Sequence, residues 1–432
     1  MVTEVRVMRS SAMFGVCILA ASHALPARAQ DGVGGGESPA TERPVPAAAA
    51  DFRRVPQAAP RPAPAPQDDG EQKPKESFPR HEWSSRVMTG IEHRRVRPDG
   101  AQSGEDDETT GFFLRQARIK AKVHFDPTLR ANISVELADG LRPARTSRVA
   151  YLRNAYLHLR AHDLLQFRAG QFRRPYSKLE LTNSGTLPFR GRGLFNSRVV
   201  VDEHWGDRAL GLAISGRHRP SGLRWYLGAS ETAWAEPTNR RPDGLTSQLR
   251  VEYKALDGLE FGVGGGHKYV TYEDVGTLGA PDDGHMLSTG ADVTFKTKRL
   301  RLAVEALAAE RRVCGAGDSL TDCTFDINSR ETLAVGATAY GAYVIKLART
   351  WGLQPTAFVE YADSDREFTR TEALRMMGGA NLLYGDHLRL MAQLEVVQPL
   401  GDVRPTPAMG LTLPVNSWKK SQTLYLMLSA QM

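Results

Sequence analysis

Cysteine is scarce in this chain, with three in 432 residues, and no group of them has the ligands around it that a zinc site needs. Long apolar runs are equally short. Beyond the first thirty residues nothing approaches the roughly 18–20 continuous apolar residues of a membrane-crossing helix, and the mean hydropathy is −0.38. That excludes a helical membrane protein but not one that crosses with strands, whose apolar residues fall only at every second position. Motifs of chemistry are also missing. The eleven histidines show neither HExxH nor clustered metal spacing, and there is no GxSxG elbow or paired catalytic constellation. The glycine run Gly262 to Gly266, followed by His267, lacks the Lys-Ser/Thr ending and the helix of a phosphate loop. Inside a strand, such glycines relieve crowding or make a bulge. No enzyme, cofactor or metal is expected.

What is present begins with an export signal. Arg6 and Arg9 precede the apolar stretch Ala12 to Ala21, and Pro26 and the triplet Ala27-Arg28-Ala29 follow, which places cleavage after Ala29. Phe14-Gly15-Val16 is a poor lipobox for Cys17. The formal charge of +7 falls to +5 when Glu4, Arg6, Arg9 and Arg28 are removed, so the basic excess belongs to the exported chain. Only Cys314 and Cys323 then remain, in a Gly/Asp/Thr-rich segment, and in an oxidising compartment they are expected to form a disulfide. Residues 30–80 are rich in Pro, Ala, Gly and charge. That composition buries too little apolar surface to offset ordering, so a disordered leader is expected, and no heptads mark it as a coiled-coil stem.

From Ser84 onward the texture becomes strand-like, with segments alternating at period 2. Phe113, Ala117, Ile119, Ala121, Val123 and Phe125 fall on one face, and Gln116, Arg118, Lys120, Lys122 and His124 on the other. Asp126-Pro127-Thr128 turns into a second such segment, with Leu129, Ala131, Ile133, Val135 and Leu137 apolar. About sixteen strands are expected, an even number as single-chain bacterial barrels have. They lie near 85–96, 111–125, 129–139, 149–161, 163–172, 207–217, 222–232, 245–255, 258–272, 285–297, 299–311, 330–346, 351–363, 373–384, 387–397 and 421–431. Tight turns, such as His162-Asp163 and Leu256-Asp257, alternate with long connections, such as Arg173 to Gly206 and Gln398 to Lys420. Short periplasmic turns alternating with long external loops predict an all-β, antiparallel transmembrane barrel in the outer membrane, spanning 81–432. Arg115 and Arg153 take the lipid-facing parity, tolerable only near the ends of their strands.

The runs "FFLRQARIKAKVHFD", "LRNAYLHLRAHDLLQFRAGQFRRPYSKLELTNSGTLPFRGRG" and "WGDRALGLAISGR" resemble the phosphate-selective porin O and P family, most closely over Phe112 to Arg217. The resemblance implies a sixteen-stranded trimeric barrel that passes phosphate or other small anions, with its third external loop folded inward to narrow the channel. That loop carries Arg173, Arg174, Lys178, Arg190, Arg192 and Arg198, and arginine's planar fork offers paired donors to phosphate oxygens. Arg118, Lys120 and Lys122 form an inward cationic stripe, extended on neighbouring strands by Arg130, Arg160 and Arg168. Such a ladder lowers the energy of an anion in the lumen. The same cations would also keep a non-selective pore wet, and a solvated loop binding lipopolysaccharide would look alike. The expected partners are inorganic phosphate or other small anions, outer-membrane lipid and lipopolysaccharide, and two further copies of the chain, with no nucleic acid. A structural barrel and a secreted β-rich binding protein are the alternatives.

Overall fold

The structure, a computed structural model, describes residues 77–97, 107–138, 151–201, 205–206, 208–232, 243–271, 284–313, 330–366, 371–400 and 420–432. The segments expected to be a signal peptide and most of the expected leader, with both Cys314 and Cys323, lie outside the described residues. The strands are β1 (Arg80–Val96), β2 (Asp107–His124), β3 (Leu129–Glu136), β4 (Tyr151–His162), β5 (Leu165–Arg173), β6 (Arg208–His218), β7 (Leu223–Glu231), β8 (Asp243–Leu256) and β9 (Leu259–Thr271). They continue as β10 (Gly284–Lys296), β11 (Leu300–Val313), β12 (Arg330–Tyr343), β13 (Ile345–Lys346), β14 (Trp351–Asp363), β15 (Glu372–Tyr384), β16 (Leu388–Pro399) and β17 (Ser421–Gln431). Apart from β12 and β13, sequence neighbours pair antiparallel, and β1 pairs with both β2 and β17, so the sheet closes. β12 and the two-residue β13 both pair with β14 and form one stave, which makes the barrel sixteen-stranded. Closure leaves no unpaired edge in lipid.

The alternation read from the sequence has a physical result on every stave. Along β17, Leu424, Leu426 and Leu428 point out and stay exposed, while Thr423, Tyr425, Met427 and Ser429 are buried inside. Leu212, Leu227, Val263, Val304 and Leu394 continue the outward apolar band, and Trp225, Tyr253, Tyr343, Trp351 and Tyr384 ring it near the short turns, the girdle expected at a membrane interface. The short turns carry their own chemistry. Asp126 accepts hydrogen bonds from the Thr128 and Leu129 amides and the Thr128 hydroxyl at 2.6–2.8 Å, which hold its carboxyl below the usual carboxylate range. Gly258, after Asp257, supplies the positive φ of 90° that a two-residue hairpin needs.

Two sequence expectations about side-chain direction are corrected here. Arg115 and Arg153 do not face lipid, because each is the extra residue of a β-bulge. Met88 and Thr89 pair with Gln116 and Leu114, skipping Arg115, while Ser134 and Val135 pair with Asn154 and Leu152, skipping Arg153. One inserted residue shifts the period by one. Arg153 therefore reaches Glu136 inside the barrel at 3.5 Å, and Arg115 lies beside Arg190, Arg192 and Arg375. By the same shift Phe113 leaves the outward face and packs against the buried Met88, Met391 and Met427.

The long segment between β5 and β6 packs on the inner face of the far wall. It contains the short helix α1 (Lys178–Leu181) and a π-helical turn (Asn196–Val201). Tyr176, Phe195, Val199, Val200 and Trp205 are almost fully buried against Met286, Ala309, Ala334, Ala362 and Ala373, and Leu179, Leu187 and Phe189 against Ala303, Tyr340, Phe358 and Met377. Fully burying a large apolar side chain contributes roughly 1.5–3 kcal/mol. The glycines of β9 make room for this. A Cβ on Gly266 would sit 3.2 Å from the Trp205 ring, and one on Gly264 3.3 Å from the Tyr176 carbonyl. At Gly262 it would sit 2.4 Å from the guanidinium of Arg250. Gly262→Leu should therefore split the buried Arg250–Asp292 pair (2.6 Å) and cost about 1–3 kcal/mol, read as a lower temperature at which the folded gel band is lost. Gly378→Ala, where an added Cβ meets nothing within 4 Å, should leave that temperature in place.

Candidate functional site

The inner wall divides into sectors by charge. On β2 to β5, Arg118 is held by Glu136 at 2.9 Å and Lys122 by Glu82 at 3.1 Å. Between and below them, Lys120, Arg130 and Arg168 make no ion pair or hydrogen bond among the described residues, although Glu82 lies within electrostatic reach of Lys120. Cross-strand register places Arg130 opposite both His124 and His158, and His158 opposite Arg168. Arg168 lies over the rings of Tyr156 (4.9 Å) and Phe172 (5.4 Å), a contact that orients a guanidinium without cancelling its charge. Arg160, at the turn, is tied to Asp163, and this bond holds the Asp163 carboxyl below the usual range.

The cations of the β5–β6 segment are mostly engaged. Arg173 pairs with Glu180 at 2.9 Å. Arg174 is buried and donates to Ser230 Oγ (2.9 Å) and to the Glu231 and Thr232 carbonyls. Lys178 bridges Glu252 (3.2 Å) and Glu260 on the far wall. Arg192 reaches Glu180 (3.3 Å) and donates to the Leu179 and Thr182 carbonyls. Arg190 pairs with Glu92 at 2.7 Å and lies over Phe113 (4.4 Å) and Tyr425 (3.9 Å). The side chain of Arg198 lies outside the described residues.

The wall in turn grips the segment's backbone with both signs of charge. Glu305 on β11 accepts from Ser177 Oγ (3.0 Å) and from the first amides of α1, where four donors have no partner within a helix. Glu360 on β14 accepts from the Leu194 and Phe195 amides at 2.6 and 3.0 Å. Arg389 on β16 donates to the Leu187 and Gly185 carbonyls, Arg301 on β11 to Thr186, and Arg375 on β15 to Arg190. Arg86 on β1 donates to Asn183 Oδ1 at 2.6 Å. Sequence reasoning missed Arg86, Arg301, Arg375 and Arg389, and placed Arg115 on the wrong face. Arg301 and Arg389 were findable, because they share the inward parity of Ala303 and Glu305 and of Met391, Gln393 and Glu395.

Across the lumen the balance differs. Glu252, Glu260, Asp292 and Glu305 line β8 to β11; Arg250 pairs with Glu252 (3.0 Å) and Asp292 (2.6 Å), and Lys178 and Arg224 reach Glu252 at 3.2 and 3.5 Å. Lys178, Arg224 and Arg250 are thus paired with carboxylates on that wall, whereas Lys120, Arg130 and Arg168 on the β2–β5 wall make no ion pair among the described residues.

Comparison with known proteins agrees with this architecture. Residues 94–292 match the model of the family described as phosphate-selective porin O and P, a span that contains the runs on which the sequence resemblance rested. No curated protein matches the chain in sequence. Among solved structures, the fold is similar to the anion-selective porin from Comamonas acidovorans, with 11% identity, 82% of this chain and 99% of that one covered and a TM-score of 0.53. It is also similar to OmpF of Salmonella typhi, solved with daunomycin (12% identity, 82% and 98% covered, TM-score 0.54), and to the trimer form of OmpT from Vibrio cholerae (13% identity, 82% and 99% covered, TM-score 0.50). At these identities the likeness is one of fold, the closed antiparallel β-barrel.

Proposed function

We infer that this outer-membrane barrel, matched over residues 94–292 by the phosphate-selective porin family, is a passive channel for small anions, with inorganic phosphate or polyphosphate as its solute. The observation that carries the reading is the set Lys120, Arg130 and Arg168, which add positive charge to one wall without an ion pair to any carboxylate among the described residues. Fixed cations in a narrow, partly low-dielectric passage raise the local anion concentration and repel cations. The β5–β6 segment, third among the external loops, supports the second half of the reading: anchored on the far wall, it takes up lumen cross-section and directs traffic past the basic side. No bond is made or broken in this function, and the residues act as a channel rather than an enzyme.

The family-level expectation of a homotrimer and contact with lipopolysaccharide belong to the same reading. In planar bilayers under a salt gradient, the wild-type zero-current potential should carry the sign of chloride permeation, and added phosphate should reduce the chloride current. A potential of the opposite sign would overturn the anion channel while leaving the barrel intact.

A further inference from the structure

His267 and His285 are 18 residues apart in sequence, but the sheet brings His267 Nε2 and His285 Nδ1 to 3.0 Å. Their rings stack at 5.2 Å, and Tyr269 flanks His285 at 5.0 Å. The arrangement follows from register: Tyr269 stands directly opposite His285 across β9 and β10, which sets His267 on the diagonal. The flanking residues point the other way. Lys268 lies over Trp205 at 4.5 Å and Met286 is buried in the inner cluster. The two imidazoles are therefore on the outer surface, near the long-connection ends of their strands and away from the lumen. His285 is exposed, and among the described residues each imidazole's hydrogen-bonding partner is the other.

We propose that His267 and His285 form a chelating site for one divalent transition ion, copper, nickel or zinc. Imidazole nitrogens bind such ions at about 2.0–2.1 Å. Two of them set at nearly a right angle around one ion stand about 3 Å apart, the separation already present here. A small rotation of the exposed His285 ring turns both lone pairs toward a common point, and water fills the remaining positions. Bound there, the ion ties β9 to β10 at the barrel's rim, outside the solute pathway.

The test uses the full-length folded chain in detergent. Titrated with copper(II), it should give one tight site per chain whose electron paramagnetic resonance spectrum shows two imidazole nitrogens. His267→Gln and His285→Gln should each weaken that site by at least about tenfold, since the second ligand of a chelate binds at high effective concentration. Heat-dependent gel migration and channel conductance should match wild type. The other nine histidines contribute the same weak background to all three proteins. A single-nitrogen spectrum in the wild type, or unchanged affinity in both variants, would overturn the site.

Discussion

Replacing Lys120, Arg130 and Arg168 together by glutamate should turn the channel from anion to cation preference, read as a change in sign of the zero-current potential in a salt gradient. These three make no ion pair to a carboxylate among the described residues, so the exchange alters the field of the lumen directly. At about 8 Å from a passing ion, one unit charge contributes roughly 0.5 kcal/mol even at the dielectric constant of water. Three reversals change six unit charges, and after screening at moderate salt the permeability ratio should move by at least about tenfold. Lys122→Gln combined with Glu82→Gln removes a paired set (3.1 Å) and leaves the sector's charge unchanged, so it should shift the potential little. If the triple variant keeps the wild-type potential, these cations do not set selectivity.

Glu305→Ala with Glu360→Ala should raise single-channel conductance and add flicker to the open current. Each carboxylate accepts at least two hydrogen bonds from the β5–β6 segment, and leaving a buried donor without its acceptor costs about 1–3 kcal/mol. Apolar burial of Phe195, Val199, Val200 and Trp205 still holds the segment near the wall. The expected result is a looser constriction in an intact barrel, and heat-dependent gel migration checks that the barrel persists. Glu→Gln at both positions keeps an acceptor oxygen and should fall between. Quiet channels of wild-type size from the alanine pair would show that these carboxylates do not fix the passage.

How much of this the sequence disclosed depends on range. Period-2 alternation is local, and the staves lie close to where it placed them, down to residues 421–431 for β17. Arg118, Lys120 and Lys122 stood on the inward parity for the same reason. Arg115 and Arg153 were misread because a bulge adds one residue without any change in composition, so parity counted from one end fails beyond it. The engagement of Arg174 by Ser230 and of Lys178 by Glu252 was hidden because a loop's sequence carries no period and its partners lie on distant strands. The glycines of β9 were read as relieving crowding. What they relieve is the approach of Tyr176 and Trp205.

The anchoring of the β5–β6 segment also bears on the order in which the molecule can assemble. Its partners come late in the chain: Glu305 is 127 positions beyond Lys178, Glu360 is 166 beyond Leu194, and Arg389 is 202 beyond Leu187. Contacts of such sequence separation form only after the intervening chain has been brought together. The segment emerges with the first strands but has no docking surface until β11, β14 and β16 stand in the sheet. Docking of the segment is therefore coupled to the arrival of the last strands, so a sheet still open at its β1 edge also leaves the segment without most of its anchors.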